Sequence, residues 1–304
     1  MRKWFIPLVF LVAPLAQATD LEIGAGFATT HPHGHAEISG FSVADNLTLL
    51  AGVSDQAVWL GADTSFDLGV AGNLSAGIKA RYNWMQDYRI EGKLGGVLGS
   101  KVTVNLQAHY TTSSLTYFDQ FQAFTLNPEL DRSGFGAELD GKYRLDRQWT
   151  LIGAGKVGIE NQAQLGLQYR DRALEYRAGV VWGDGFQGNL WGGTAGITYR
   201  EDLAIMTVDA LVGYQAGQVA WGVKGTVGVY ELENFFNSDV TVFAAYEPYR
   251  EAVFPLRYGV DLTTPMNRGK LNIGAYFTER YYTFRTAYKF TLDPEPEPEE
   301  DLNE

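Results

Sequence analysis

The four histidines carry the most obvious chemical capacity in this 304-residue chain, which has no cysteine. His31, His33 and His35 stand two apart, and three imidazoles within five residues can hold zinc or copper. Pro32 and Gly34 lie between them and Glu37 is the one acid close by, which favours a polar turn; no metal and no cofactor is assigned. His109 would serve a hydrolase only beside a nucleophile or an acid. Ser113, Ser114 and Asp119 follow it, but nothing in the spacing orients them. The chain is therefore read as non-enzymatic. The run from Gly153 to Gly158 fits GxGxxG by letter, yet that fingerprint works only where a strand opens a helix, and here it lies inside a strand pattern.

A larger set of charges offers electrostatics rather than bond chemistry. Lys79, Arg81, Arg89 and Lys93 fall on neighbouring segments and form a candidate basic wall, and Arg170 and Arg177 are further candidate lining residues. Glu91, Glu138, Asp140 and Glu175 are candidates for an acidic counterpart. Opposed signs across a narrow, partly desolvated space would make a strong transverse field. The same charges could instead solvate the wall and pair across strands.

The elements that must carry them alternate with period two. In 101–110, Val102, Val104, Leu106, Ala108 and Tyr110 share one face, and Lys101, Thr103, Asn105, Gln107 and His109 share the other. Comparable segments follow at 21–29, 35–43, 47–54, 57–66, 74–84 and 88–98 before it. After it come 134–143, 149–160, 163–170, 174–182, 190–199, 203–214 and 219–230, then 239–246, 254–262, 270–278 and 281–290. Most breaks are Asn, Asp and Gly turns, and none of the segments has a sustained helical period. The only long connection is 112–133. Aromatics cap the apolar rows, as in Trp191 to Tyr199 or Met206 to Tyr214, and the opposite rows are polar or tiny.

Aliphatic rows with amphipathic rings at both ends match the hydrocarbon layer and its two interfaces, while the polar rows match water. Backbone groups in hydrocarbon must all be paired, so such a sheet has to close. A soluble β-sandwich fits less well, because the connections are too short for Greek keys.

The ends read differently. Residues 1–18 have a charged start, a short apolar run and Ala16-Gln17-Ala18, the pattern of a cleavable export signal. Residues 293–304 hold seven acids spaced by prolines and read as a solvated, disordered acidic tail, periplasmic if the barrel resemblance given below holds. Net charge is −12, which argues against nucleic-acid binding.

On these rows and on the last segment, YYTFRTAYKF, the chain resembles the bacterial outer-membrane β-barrel superfamily, porin-like members included. The resemblance implies an all-β fold: a transmembrane, antiparallel, up-and-down β-barrel over 19–292. Even parity gives about 18 strands, with 16 the next choice. Tyr282, Phe284, Tyr288 and Phe290 look like the aromatic signature read by the barrel-assembly machinery, although 14 residues follow Phe290. Lipid, that machinery and small hydrophilic solutes are the implied partners; the number of chains that assemble is left open. Porins commonly fold a loop into the bore, and 112–133, with Tyr117, Phe118, Asp119 and Phe121, is the candidate constriction; an extra strand pair or a surface loop is the other reading. The function so implied is a passive porin-like channel of the bacterial outer membrane. A non-conducting structural or adhesion barrel is the alternative, with a hydrolase centred on His109 behind it.

Overall fold

The computed structural model describes residues 20–28, 31–84, 86–112, 133–158, 161–185, 188–232, 236–249, 255–279 and 282–292. The expected export signal, the acidic tail and the loop residues Tyr117, Phe118, Asp119 and Phe121 lie outside the described residues.

The described chain is one antiparallel sheet. Its strands are β1 (Asp20–Ala28), β2 (His31–Ala44), β3 (Leu47–Ser54), β4 (Ala57–Asp67), β5 (Gly72–Asn83) and β6 (Tyr88–Leu98). They continue as β7 (Val102–Thr111), β8 (Gly134–Arg144), β9 (Trp149–Gly158), β10 (Gln162–Asp171), β11 (Leu174–Gly185) and β12 (Gly188–Glu201). The last are β13 (Ala204–Gln215), β14 (Gln218–Leu232), β15 (Ser238–Tyr246), β16 (Leu256–Met266), β17 (Gly269–Thr278) and β18 (Tyr282–Thr291). Each strand pairs with its sequence neighbours, and β18 pairs with β1 from Asp20↔Thr291 to Ala28↔Thr283, which closes the ring. The eighteen-strand antiparallel barrel expected from parity is the fold observed.

Closure follows from the side chains. Facing outward are Ile23 and Phe27 on β1, Ile78 and Tyr82 on β5, Val180 and Trp182 on β11, and Val212 and Tyr214 on β13, all large, apolar and exposed. Rings pair along both rims of this surface: Trp191 with Tyr214 at 5.0 Å and Tyr258 with Phe277 at 5.3 Å at one, Trp149 with Tyr169 at 4.8 Å at the other. An apolar belt between two aromatic girdles is what a bilayer solvates.

The two rims differ. At the near rim, which holds Asp20 and Thr291, the connections are turns of a few residues, including a 3₁₀ turn at Gly69–Ala71. The two longest connections, 112–133 and 247–255, both leave the far rim, so 112–133 is not the only long one. A second boundary also moves. β2 begins at His31 rather than at residue 35, because Gly26↔His33 and Gly24↔His35 pair in register with β1. The histidines are thus strand residues and not a turn; Pro32 is tolerated at the start of the strand, where a missing donor costs least.

Candidate functional site: the inner wall

The inner face carries the chemistry, and register fixes who meets whom. All ten charges singled out in the sequence stand on it. Lys79 faces Glu91 and Arg81 faces Arg89 across β5–β6, while Glu138 and Asp140 lie on β8. Arg170 faces Glu175 across β10–β11, two residues before Arg177. The signs do not segregate into opposed walls. Lys79 Nζ lies 3.5 Å from Glu37, Arg89 3.2 Å from Glu91, Lys93 2.8 Å from Asp63, and Lys156 2.7 Å from Glu138. Asp140 accepts from Asn105 Nδ2 at 2.8 Å. Arg177 is the most bonded of the set: it donates to Glu175 and Thr198 at 2.7 Å and to Asp209 at 2.8 Å, with Arg200 3.5 Å from the same glutamate. The partners Glu37, Asp63, Lys156 and Asp209 were missed from sequence. They sit on the same period-two rows, but only strand register says which row meets which.

Glycines make room for these side chains. The large inner residue and the glycine directly paired with it recur: Trp59 with Gly52, His35 with Gly24, His33 with Gly26, Lys93 with Gly77, His109 with Gly136, and Phe243 with Gly259. A Cβ on Gly136 would stand 2.7 Å from the His109 ring, and one on Gly259 would stand 2.7 Å from Phe243. Side chains therefore lie flat along the wall instead of projecting into the bore. Trp59, held by its indole donating to Glu37 at 2.6 Å, also receives Lys79 at 5.3 Å and Arg81 at 5.8 Å from its ring centroid.

The histidines are absorbed by this wall. His35 Nε2 lies 3.0 Å from Glu22 on β1, an acid the local sequence could not supply, and His33 is buried over Gly26. His31 lies on the same strand, but its side chain is outside the described residues, and no group of three possible metal ligands occurs among the described residues. His109 faces Glu91 in register on the inner face, and Ser113, Ser114 and Asp119 lie outside the described residues. The GxGxxG run is strand β9, with Lys156 turned to Glu138.

Burial of the inner face varies around the ring as well as along the axis, for Glu175 and Thr198, paired near the near rim, are buried too. Toward the far rim the inner face is closed off: Ala57, Trp59, Thr111, Val181, Leu190, Leu211 and Ala245 are all buried. Toward the near rim, inner positions such as Asn73, Ser75, Lys142, Arg144 and Arg170 are exposed. The root of the 247–255 connection adds to the closed end. Beyond the outward-facing Tyr246, Glu247 is 1% exposed and meets the Arg257 guanidinium, and Tyr249 is 3% exposed.

No family model matches this chain, and no curated protein matches it. Solved structures do. A variant of the Rhodopseudomonas blastica porin superposes with TM-score 0.51 at 10% identity, over 90% of this chain and 98% of that one. This is the porin fold. Pseudomonas aeruginosa OccK11 (OpdR) shares it with TM-score 0.54 at 12% identity, over 89% of this chain and 94% of that one. At such identities the likeness fixes the path of the chain around the porin-fold barrel and leaves the inner side chains to be read from this structure.

Proposed function

We propose that this chain is an outer-membrane channel through which small hydrophilic solutes and ions diffuse passively. One observation carries the reading: a closed ring of eighteen strands that is apolar outside and lined inside by paired charges and glycines. A ring of this size encloses a bore wide enough for water, and side chains lying over glycines keep it open. The porin-fold neighbours are supporting company, since one of them is named a porin. Long connections outside and short turns inside are the usual polarity of such barrels, which supports reading the far rim as the cell-surface end and both ends of the barrel as periplasmic. The outward aromatics of β18 pair beside β1 at the seam, a placement suited to an assembly signal. Selectivity would rest on width and charge, with no bond made or broken and no cofactor.

The test is conductance. Protein folded in detergent, shown folded by heat-modifiable migration, should give discrete current steps in a planar bilayer. A folded barrel that inserts and passes no current would favour the structural or adhesion reading. A screen for lipid or peptide hydrolysis lost in His109→Ala would instead favour an enzyme.

A further inference from the structure

The near rim divides its charge into sectors. At the near-rim ends of β7 to β10, Lys101, Lys142, Arg144 and Arg170 are exposed, the last three on the inner face. The Arg144 amide donates to the Lys101 carbonyl at 2.8 Å, and the inner residue Thr150 is paired between Arg144 and Gln168, so these bases form one patch. The acids of the adjoining wall are engaged elsewhere: Asp140 accepts from Asn105, and Glu175 holds Arg177 and Arg200. The turns beside the patch are balanced, Arg147 and Arg172 against Asp146 and Asp171. Among the described residues no ion pair holds any of the four bases. The sectors on either side have the opposite sign. The near-rim ends of β2 to β5 carry Asp45 and Asp67 and no base, and those of β12 to β14 carry Glu201, Asp202 and Glu231 against Arg200.

The described chain ends at this rim, at Leu292 after β18, and 293–304 follow with seven acids and no base. β9 stands nine strands from β18, directly across the ring. Eighteen strands about 4.8 Å apart and tilted about 40° make a ring roughly 36 Å across. The twelve residues 293–304, spaced by prolines, reach about 37 Å at about 3.1 Å each, so length matches span. We propose that the acidic tail, residues 293–304, docks across the near-rim mouth on Lys142, Arg144 and Arg170. Beside its root Lys270 and Lys289 face each other, and Asp20 takes Lys289 at 2.9 Å, which leaves Lys270 to start the tail inward. The acidic sectors on both sides repel the tail and so set its direction. Its contacts are exposed charge pairs, individually weak and screened by ions, so salt releases it. The inference needs the closed barrel and not its conductance.

The chain has no cysteine, so a pair introduced by substitution reports proximity by disulfide trapping in the full-length barrel. Glu300→Cys is combined with Thr150→Cys, which sits inside the patch and removes none of its bases. The control combines Glu300→Cys with Ser65→Cys, an exposed inner position two residues from Asp67 and only four strands from β18. A tail moving freely would meet residue 65 first, because that position is nearer its root. Docking reverses the order, and the pair with residue 150 should close faster by about tenfold or more. About 1 M salt, which screens charges beyond about 3 Å, should abolish that advantage. So should Lys142→Gln, Arg144→Gln and Arg170→Gln together, in protein shown folded by heat-modifiable migration. A pair at 150 that closes no faster than the pair at 65 overturns the proposal, as does an advantage that survives salt or the loss of the three bases. Disulfides formed only between two barrels, seen as a dimer-sized band, overturn it too, since the patch would then hold the tail of a second copy. None of these readings uses current, so a barrel that fails to conduct counts against the channel and not against the docked tail.

Discussion

On β5 and β6 the inner positions hold Lys79, Arg81, Arg89, Glu91 and Lys93, while on β14 and β15, nine strands away, they hold Ala220, Gly222, Phe243 and Ala245 with Lys224 as a charge among them. The first wall keeps long side chains half in water and pairs them with acids on adjoining strands. The second is nearly dry at the same end and has space for chain entering from the rim. Ion pairs on the two walls accordingly differ in kind. Lys93 and Asp63 are 61% and 37% exposed, whereas Arg257 and Glu247 are 24% and 1% exposed. The comparison teaches that one face of a barrel can hold two solvents, and that glycine decides where. Opposite a long side chain, glycine gives that side chain a place to lie. Opposite another glycine, as in Gly166↔Gly179 and Gly192↔Gly213, it leaves the facing backbone so close that a Cβ would meet it.

The largest effect should come from breaking the dry pair. Glu247→Ala takes the carboxylate from the Arg257 guanidinium, which is partly buried at 24% exposed, and should cost about 3 kcal/mol in urea unfolding from lipid, the low end for a buried pair. Asp63→Ala, the matching cut on the wet wall, should cost no more than about 1 kcal/mol. Equal costs would erase the distinction between the walls. Next, Leu106→Arg sets a charge on the outer belt and should cost about 2–4 kcal/mol, while Gln107→Arg on the inner face should cost little. If the two behave alike, the faces are wrongly assigned. Where glycine faces glycine, a Cβ on Gly179 would stand 2.7 Å from the Leu165 carbonyl oxygen, which is backbone and does not yield. Gly179→Val should therefore cost about 1–3 kcal/mol. Gly77→Ala meets only Lys93 and Asp63 side-chain atoms, which can swing away, so its cost should be smaller than that of Gly179→Val by the same unfolding measurement. Smaller again in energy, but visible in reversal potential, is the removal of charge from the wet wall. Arg81→Gln with Arg89→Gln should shift selectivity toward cations, and an unchanged potential would show that paired charges there do not bias ions.

Much of this barrel was legible because its pattern is local. Alternation along Val102–Thr111 needs no knowledge of any other strand, and the same holds for the row from Met206 to Tyr214. Strand number and the two faces follow from such rows. What was not legible is everything decided between strands. Glu22 lies thirteen residues from His35 and Asp63 thirty from Lys93, so their pairing exists only once register is set. Of the two readings of these charges, opposed walls and pairing across strands, the ion pairs support the second, and sequence could not choose because sign along one strand says nothing about sign on the next. The histidine triplet misled because Pro32 and Gly34 are turn residues by type, while closure of β1 on β2 demands strand. The inward root at Glu247 and Tyr249 had one signal in advance, Ala220 and Gly222 alternating at inner positions, but small residues alone do not say what fills the space they leave.

The smallest expected effect tests a region outside both walls. Asp146, in the near-rim turn between β8 and β9, accepts from the Trp149 and Gln148 amides, each at 2.7 Å. These bonds favour the ionised form and hold its carboxyl below the usual aspartate range, Trp149 contributing most. A group whose folded pKa is depressed adds stability that is fully present above its unfolded pKa, near 3.9, and is lost as pH falls through the lower folded value. Wild type should thus lose a small increment of stability on acidification below about pH 4 that Asp146→Asn, which keeps the acceptor oxygen but does not titrate, does not lose. The two unfolding curves should converge in acid and separate slightly toward neutrality, with the conductance of both unchanged, because this turn lies exposed on the near rim, outside the inner wall. A difference in conductance would mean that the near rim also shapes the bore, and the contrast between the two walls would then be incomplete.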